Sequence, residues 1–380
     1  MLHAYTEMTS LKYILFFLIV VAALTSCSDA SAPMSDLSCD ESMVEDALEV
    51  IGQASTFEDL LELEQRISLE IADHSLIGQV THIREHPAGF VIADARISNQ
   101  AYLYSKEGSL ISLLGSSGVG PNEYKRIEDV QVDGAGNTYV LADNPNKLLT
   151  YDATGVYLDE YSIHDLGINP SRFAILRDSP LQIAFYVLHP DFNIDFNKVA
   201  VASLEGFKFR LDQSFLPFEP TGKKLFFSGG TFYISNNLLW THPIFELGTE
   251  VYNPFDGSLI ATIPAPTSKL PKPFIEQRLF ESAERARDAL PAYGSSTRLF
   301  SQVELGGVLA SAYTAGPDND KYFAFHTLCG TQLDTLVQNE SFPLLYRLAG
   351  STTTGNRLFF SSEEELNSAS QILVYRPKWD

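Results

Sequence analysis

The sequence predicts an all-β protein, a six-bladed β-propeller with four-stranded blades, on three observations. From residue 75 onward short apolar runs alternate with Gly, Pro, Asn and Asp; the runs repeat about every fifty residues; and a lone strand stands at each end of the repeats. The repeat is clearest between VIADARISNQAYLYSKEGSLISLLG (91–115) and VLADNPNKLLTYDATGVYLDEYSI (140–163). Each has a strand ending in Ala-Asp, a polar turn, a strand centred on Tyr, a turn closing on Gly, and a further strand. Asp94 thus corresponds to Asp143, Tyr104 to Tyr151 and Gly108 to Gly155.

The same glycine turn recurs at Gly206, Gly257 and Gly330, after steps of 47, 51, 51 and 73 residues. The long step holds PKPFIEQRLFESAERARDAL (271–290), in which Ile275, Leu279 and Ala283 lie four apart. It reads as an amphipathic helical insertion that packs on the rim or covers one mouth of the channel. Six units of about fifty residues fit between Ser75 and Asp380. A blade cannot bury both faces alone, so blades stack around an axis and the ring must close. RISLEIA (66–72) and QILVYRPK (371–378) are each a strand without a neighbour in sequence. They are expected to pair and complete the last blade, which removes two open sheet edges.

The N-terminal part differs in texture. Lys12 precedes twelve apolar residues, Tyr13 to Leu24, which as a helix span about 18 Å, short of a bilayer core of roughly 30 Å. The run has the length of a secretory signal's apolar region. Leu24-Thr25-Ser26-Cys27 resembles the bacterial lipobox, which makes Cys27 the expected lipidation site. A start at Met8 places Lys12 in a short basic lead, whereas MLHAYTE adds only Glu7. Residues 28–74 carry thirteen acids against one base, Arg66. ESMVEDALEVIG and TFEDLLELE have apolar residues at helical spacing, Val44, Leu48 and Ile51 in the first. The expected division is a lipoprotein signal over 1–26, an acidic tether with short helices over 27–65, and the propeller over 66–380. Beyond Cys27 only Cys39 and Cys329 remain, as free thiols or a single bridge.

A formal charge of −22 excludes a nucleic-acid partner, since phosphate backbones call for a basic surface. The glycine-rich stretch LGSSGVGPNEY (114–124) lacks the Lys-Ser/Thr of a P-loop, and Pro121 removes an N–H such a loop would use. It reads as a crossover between blades. His82-Ile83-Arg84-Glu85-His86 matches H-x-x-E-H, but it stands in a strand running into Pro87-Ala88-Gly89, where the two histidines cannot share a helix face. No catalytic residue, metal or cofactor is assigned. Asp94 and Asp143 end strands beside polar turns, either as turn caps or as channel-lining carboxylates. Trp240, within TFYISNNLLWTHPIFE, is a further candidate for ligand contact.

GVGPNEY, then I-x-D-V-x-V-D-x-x-G-N-x-Y-V-L-A-D and N-K-L-x-x-Y-D-x-x-G, resembles the six-bladed propeller lipoproteins of the Bacteroidetes type, TolB-like and distantly similar to NHL-repeat propellers. The likeness is strong over 77–163, weaker but in phase to 380, and absent in the N-terminal stalk. It implies a fold and a cell-envelope address, with lipid at the membrane. The function expected is binding or scaffolding without catalysis, the partner being an envelope protein or a small ligand at a propeller mouth. The alternatives are a metal-dependent hydrolase or lactonase, and a subunit of an outer-membrane uptake or secretion assembly.

Overall fold

The structure, a computed structural model, describes residues 41–71, 77–187, 196–218, 230–235, 237–243, 248–264, 298–315, 320–327, 332–338, 346–351, 357–362 and 371–379. Cys27, Cys39, Cys329, Gly330 and the insertion 271–290 lie outside these residues.

The described strands make six antiparallel four-stranded sheets. Blade 1 comprises β2 (His82–His86), β3 (Gly89–Asp94), β4 (Gln100–Ser105) and β5 (Leu110–Leu114), and is followed by a two-residue parallel pair, β6 (Ser116–Ser117) and β7 (Glu123–Tyr124). Blade 2 comprises β8 (Arg126–Val132), β9 (Thr138–Asp143), β10 (Lys147–Tyr151) and β11 (Tyr157–Ser162). Blade 3 comprises β12 (Pro170–Asp178), β13 (Leu181–Val187), β14 (Phe196–Glu205) and β15 (Lys208–Phe218). Blade 4 comprises β16 (Gly230–Ser235), β17 (Leu238–Pro243), β18 (Gly248–Tyr252) and β19 (Leu259–Pro264). Blade 5 comprises β20 (Arg298–Leu305), β21 (Val308–Ala315), β22 (Asp320–Thr327) and β23 (Gln332–Gln338). Blade 6 has β24 (Tyr346–Ser351), β25 (Leu358–Ser362) and β26 (Gln371–Pro377), and takes its outer strand, β1 (Leu61–Ser68), from the other end of the chain.

The first strand of each blade touches the first strand of the next, β2 to β8, β12, β16, β20, β24 and back to β2, so these six surround the axis. Period-two alternation makes the ring cohere. In β3, Phe90 and Ile92 pack toward blade 6, while Val91 and Ala93 pack toward blade 2. Strands buried on both faces read as unbroken apolar runs, and FVIA (90–93) is one. Each blade boundary has its own cluster of buried side chains, a fully buried large side chain contributing about 1.5–3 kcal/mol. The turns at Gly108, Gly155, Gly206 and Gly257 each join the third and fourth strand of a blade at φ +92, +82, +64 and +72. They form the repeat read from the sequence, and a left-handed backbone there favours glycine.

Closure follows the expected pairing with a shifted boundary. β1 runs antiparallel to β26, from Leu61 opposite Pro377 to Ser68 opposite Gln371. The strand therefore begins five residues earlier than RISLEIA, inside the segment assigned to the tether. LELE alternates, Leu61 buried and Glu62 exposed, and period two prevails over the helical spacing read across TFEDLLELE. Only Phe57–Leu60 of that stretch is helical (α2). Its capping box has the Thr56 hydroxyl accepting from the Asp59 N–H at 3.3 Å and the Asp59 carboxylate accepting from the Thr56 N–H at 2.8 Å.

The helix before it, α1 (Glu41–Gln53), corrects the tether assignment further. Its buried residues are Val44, Ala47 and Ile51, while Leu48 is 36% exposed. With Phe57 and Leu60 they enter the core cluster of blades 5 and 6, against Val303, Phe323, Phe325 and Leu373. The acids lie on the outer face; an acidic composition had concealed a narrow apolar stripe.

Candidate functional site

The candidates read from the sequence fall in three unrelated places. Asp94 is fully buried, and its carboxylate accepts five backbone N–H bonds: from Gly78 (2.8 Å), Gln79 (2.9 Å), Arg96 (3.1 Å), Ile97 (2.8 Å) and Ser98 (3.1 Å). It ties the chain entering blade 1 to the β3–β4 turn. Asp143, at the equivalent position of blade 2, instead pairs with Arg126 at 3.1 Å. Trp240 is 1% exposed and sits in the blade 4–5 core with Val251, Ala261, Ile263 and Leu309.

The glycine-rich stretch links the outer strand of blade 1 to the inner strand of blade 2, as a crossover should. Its N–H groups at Val119 and Gly120 donate to Glu123 Oε2 at 3.0 and 2.8 Å, so the loop is filled by its own carboxylate. Gly115 (φ +86) cannot take a side chain, since a Cβ would stand 2.5 Å from Tyr124 Cε1 and 2.8 Å from the Tyr151 hydroxyl oxygen. The tyrosines fix this crossover: Tyr124 donates to Leu114 O at 2.5 Å and Tyr151 to Asn122 Oδ1 at 2.8 Å. Tyr104, the repeat equivalent of Tyr151, likewise donates to Glu70 O at 3.1 Å on the crossover from blade 6.

HIREH is strand β2. His86 donates from Nε2 to Gly136 O at 2.7 Å and accepts the Ala88 N–H on Nδ1 at 3.0 Å, which fixes its tautomer in a structural bond. Among the described residues no three His, Cys, Asp or Glu side chains converge to hold a metal.

What the sequence reading missed lies at the axis, on the inner strands of blades 1, 2 and 3. Asp129 on β8 is buried, and each of its oxygens accepts twice. Oδ1 takes the Val130 N–H at 2.8 Å and Arg84 Nη2 at 3.2 Å; Oδ2 takes the Phe173 N–H at 3.1 Å and Gln131 Nε2 at 3.3 Å. Gln131 also accepts from Arg84 Nε at 3.2 Å and donates to Phe173 O at 3.0 Å. Three blades are thereby joined through Arg84, Asp129, Gln131 and the Phe173 backbone. His82 Nε2 lies 3.7 Å from Asp129 Oδ1. Burial pushes the His82 imidazole down to about 3, against the opposing pull of Asp129 and with the guanidinium groups of Arg84 and Arg172 adding to the drop. His82 is therefore neutral at physiological pH. Arg84 keeps 23% of its side chain exposed, and Arg172, next in the chain to Phe173, is half-buried.

Two other polar places complete the survey. On the inner strands of blades 4 and 5, Glu304 Oε2 accepts from the Tyr233 and Ser235 hydroxyls, both at 2.7 Å. Between blades 2 and 3 an open cavity of about 360 Å³ is lined by Tyr139, Tyr161, Asp178 and Pro180 among others.

Six sheets around one axis, the last shared between the two ends of the chain, define a closed six-bladed propeller. The chain belongs to the family DUF5128, described as a 6-bladed beta-propeller, whose pattern it matches over residues 36–264. Among solved structures, an exported protein of Bacteroides fragilis NCTC 9343 shares 16% identity, covering 85% of this chain and 97% of its own, with a TM-score of 0.60. A member of the duf4221 family from Bacteroides vulgatus shares 12%, covering 84% of this chain and 97% of its own, with a TM-score of 0.58. At such identity the likeness is one of fold. No curated protein matches the chain.

Proposed function

We propose that this protein is a lipid-anchored propeller of the cell envelope that binds or scaffolds a partner at its axial channel and does not turn it over. The observation that carries the binding reading is the axial cluster, where Arg84 and Arg172 stand partly exposed on inner strands beside a carboxylate whose oxygens are already bonded. Arg84 donates to that carboxylate, and Arg172 is next in the chain to Phe173, whose N–H the carboxylate accepts. Elements from several blades meeting at one opening are the usual basis of propeller recognition. The envelope address rests on the Tyr13–Leu24 apolar run and the lipobox-like Leu24-Thr25-Ser26-Cys27, and it accords with the exported relative from Bacteroides fragilis.

The test is expression of the full chain and of Cys27→Ala with labelled fatty acid, followed by native mass spectrometry of the detergent-purified protein. Label on the wild type alone, together with a co-purifying mass bound one to one, is the expected result. Equal labelling of Cys27→Ala removes the anchor, and a channel that carries nothing from its own cells removes the binding role.

A further inference from the structure

We propose that Arg84 and Arg172 form an anion-binding site at the axis, taking the carboxylate or phosphate group of a small ligand. The inference rests on the binding reading above and names the chemistry of the ligand.

The charge balance at the axis points this way. Arg84 comes from β2 and Arg172 from β12, two strands on either side of β8, which supplies Asp129. Asp129 makes four hydrogen bonds, two to each oxygen, and only one of them is to a guanidinium group. Phe173 is bound to Asp129 through its N–H and to Gln131 through its carbonyl, which holds the adjoining Arg172 backbone beside the cluster. Among the described residues Arg172 has no ion pair and no hydrogen-bond partner. It lies near enough to Arg84 and His82 to depress the ionisation of both. With His82 neutral, two arginines stand at this part of the axis and only Arg84 is paired with Asp129, in a chain whose formal charge is −22. The other acids near this end of β8 are engaged elsewhere, Glu128 and Asp143 both with Arg126.

A guanidinium group held near a like charge and partly removed from water is unfavourable unless an anion is supplied. Its planar fork suits the two oxygens of a carboxylate or phosphate. Arg84 is fixed by Asp129, Gln131 and, through Nη1, the Ile83 carbonyl at 3.1 Å, so the one N–H left on each Nη has a set direction; Arg172 is free to close on the ligand.

The experiment is isothermal titration of the detergent-purified full chain with succinate and, separately, with inorganic phosphate, repeated on Arg172→Gln and Arg172→Lys. The wild type should bind one of the two anions, and which one distinguishes a carboxylate ligand from a phosphate ligand. Arg172→Gln should weaken that binding about tenfold or more, as loss of a charge-assisted hydrogen bond implies. Arg172→Lys should fall between. Without ligand, Arg172→Gln should melt no lower than the wild type, because it relieves a repulsion and breaks no bond. Anion affinity unchanged in Arg172→Gln overturns the site, as does heat from neither anion. A lower melting temperature for the ligand-free variant does the same, since it makes Arg172 a structural residue. A neutral or cationic co-purifying molecule retained by Arg172→Gln also overturns the anion assignment, yet leaves the channel's binding role standing.

Discussion

Asp94 shows how one buried carboxylate organises a blade. Burial alone would raise its pKa and disfavour the charged form, but the N–H bonds from Ile97, Gln79, Ser98 and Arg96 outweigh that and hold it below the ordinary carboxylate range. A carboxyl depressed by folding stabilises the folded state fully above its unfolded value, and the contribution is lost as pH falls through the folded value. Asp94→Asn should therefore cost about 2 kcal/mol at neutral pH, on the scale of a charge-assisted hydrogen bond lost in the interior. In urea melts the gap to the wild type should narrow on acidification below the ordinary carboxylate range. A gap independent of pH would show that shape, and not charge, matters there. Asp94 was legible as a turn residue because Ala-Asp recurs one repeat later. Its supposed twin was not, because Asp143 has an arginine within reach at Arg126. Trp240 could not be sorted from the sequence, since an aromatic in an apolar strand looks the same whether it faces a core or a ligand. Arg84 and Arg172 left no signal, being 88 positions apart in strands that only the ring brings together.

At the scale of elements, the strands were legible through period two and their turns through glycine, whereas α1 was read correctly as a helix and wrongly as free. An apolar stripe of Val44, Ala47 and Ile51 has the width of a contact with one surface, and nothing in its own sequence says which surface. Ala47 is wholly buried and Leu48, one position on, is at the rim. Ala47→Glu should thus destabilise by about 3 kcal/mol or more, because it forces an unpaired charge into the blade 5–6 core. Leu48→Glu should stay within about 0.5 kcal/mol of the wild type. Equal effects in thermal melts would mean that the helix does not dock through this face.

For the molecule as a whole, stability depends on the ring being closed. Truncation through residue 40 retains α1 and β1 and should melt like the full chain. Truncation through residue 60 removes both helices, exposes the blade 5–6 core and should lower the midpoint while keeping one cooperative transition. Truncation through residue 70 removes β1 and leaves β26 unpaired, so it should broaden the transition and favour aggregation through the open edge. Indistinguishable melts for the last two truncations would argue that the seam contributes little. The six-fold count was legible because total length and repeat period agree, and closure because two strands lacked neighbours. The insertion over 271–290 was read as an interruption of the period and as an amphipathic helix, and it lies outside the described residues.

The seam also sets an order of events during synthesis. β1 is among the first segments to emerge and its partner β26 among the last, so β1 must wait while five blades assemble beside it. A waiting strand is a hazard, because any newly made edge offers it hydrogen bonds. Charges at alternate positions address this: Glu62, Glu64 and Arg66 face outward and discourage burial against a wrong neighbour. Two of them also select the right one. Glu62 meets Arg376 on β26 at 2.9 Å, and Glu64 meets Arg357, just ahead of β25, at 2.5 and 2.9 Å, in the last-made part of the propeller. Surface pairs of this kind add little to equilibrium stability. Their effect belongs to the moment of docking, when they set the register in which the first-made strand accepts the last.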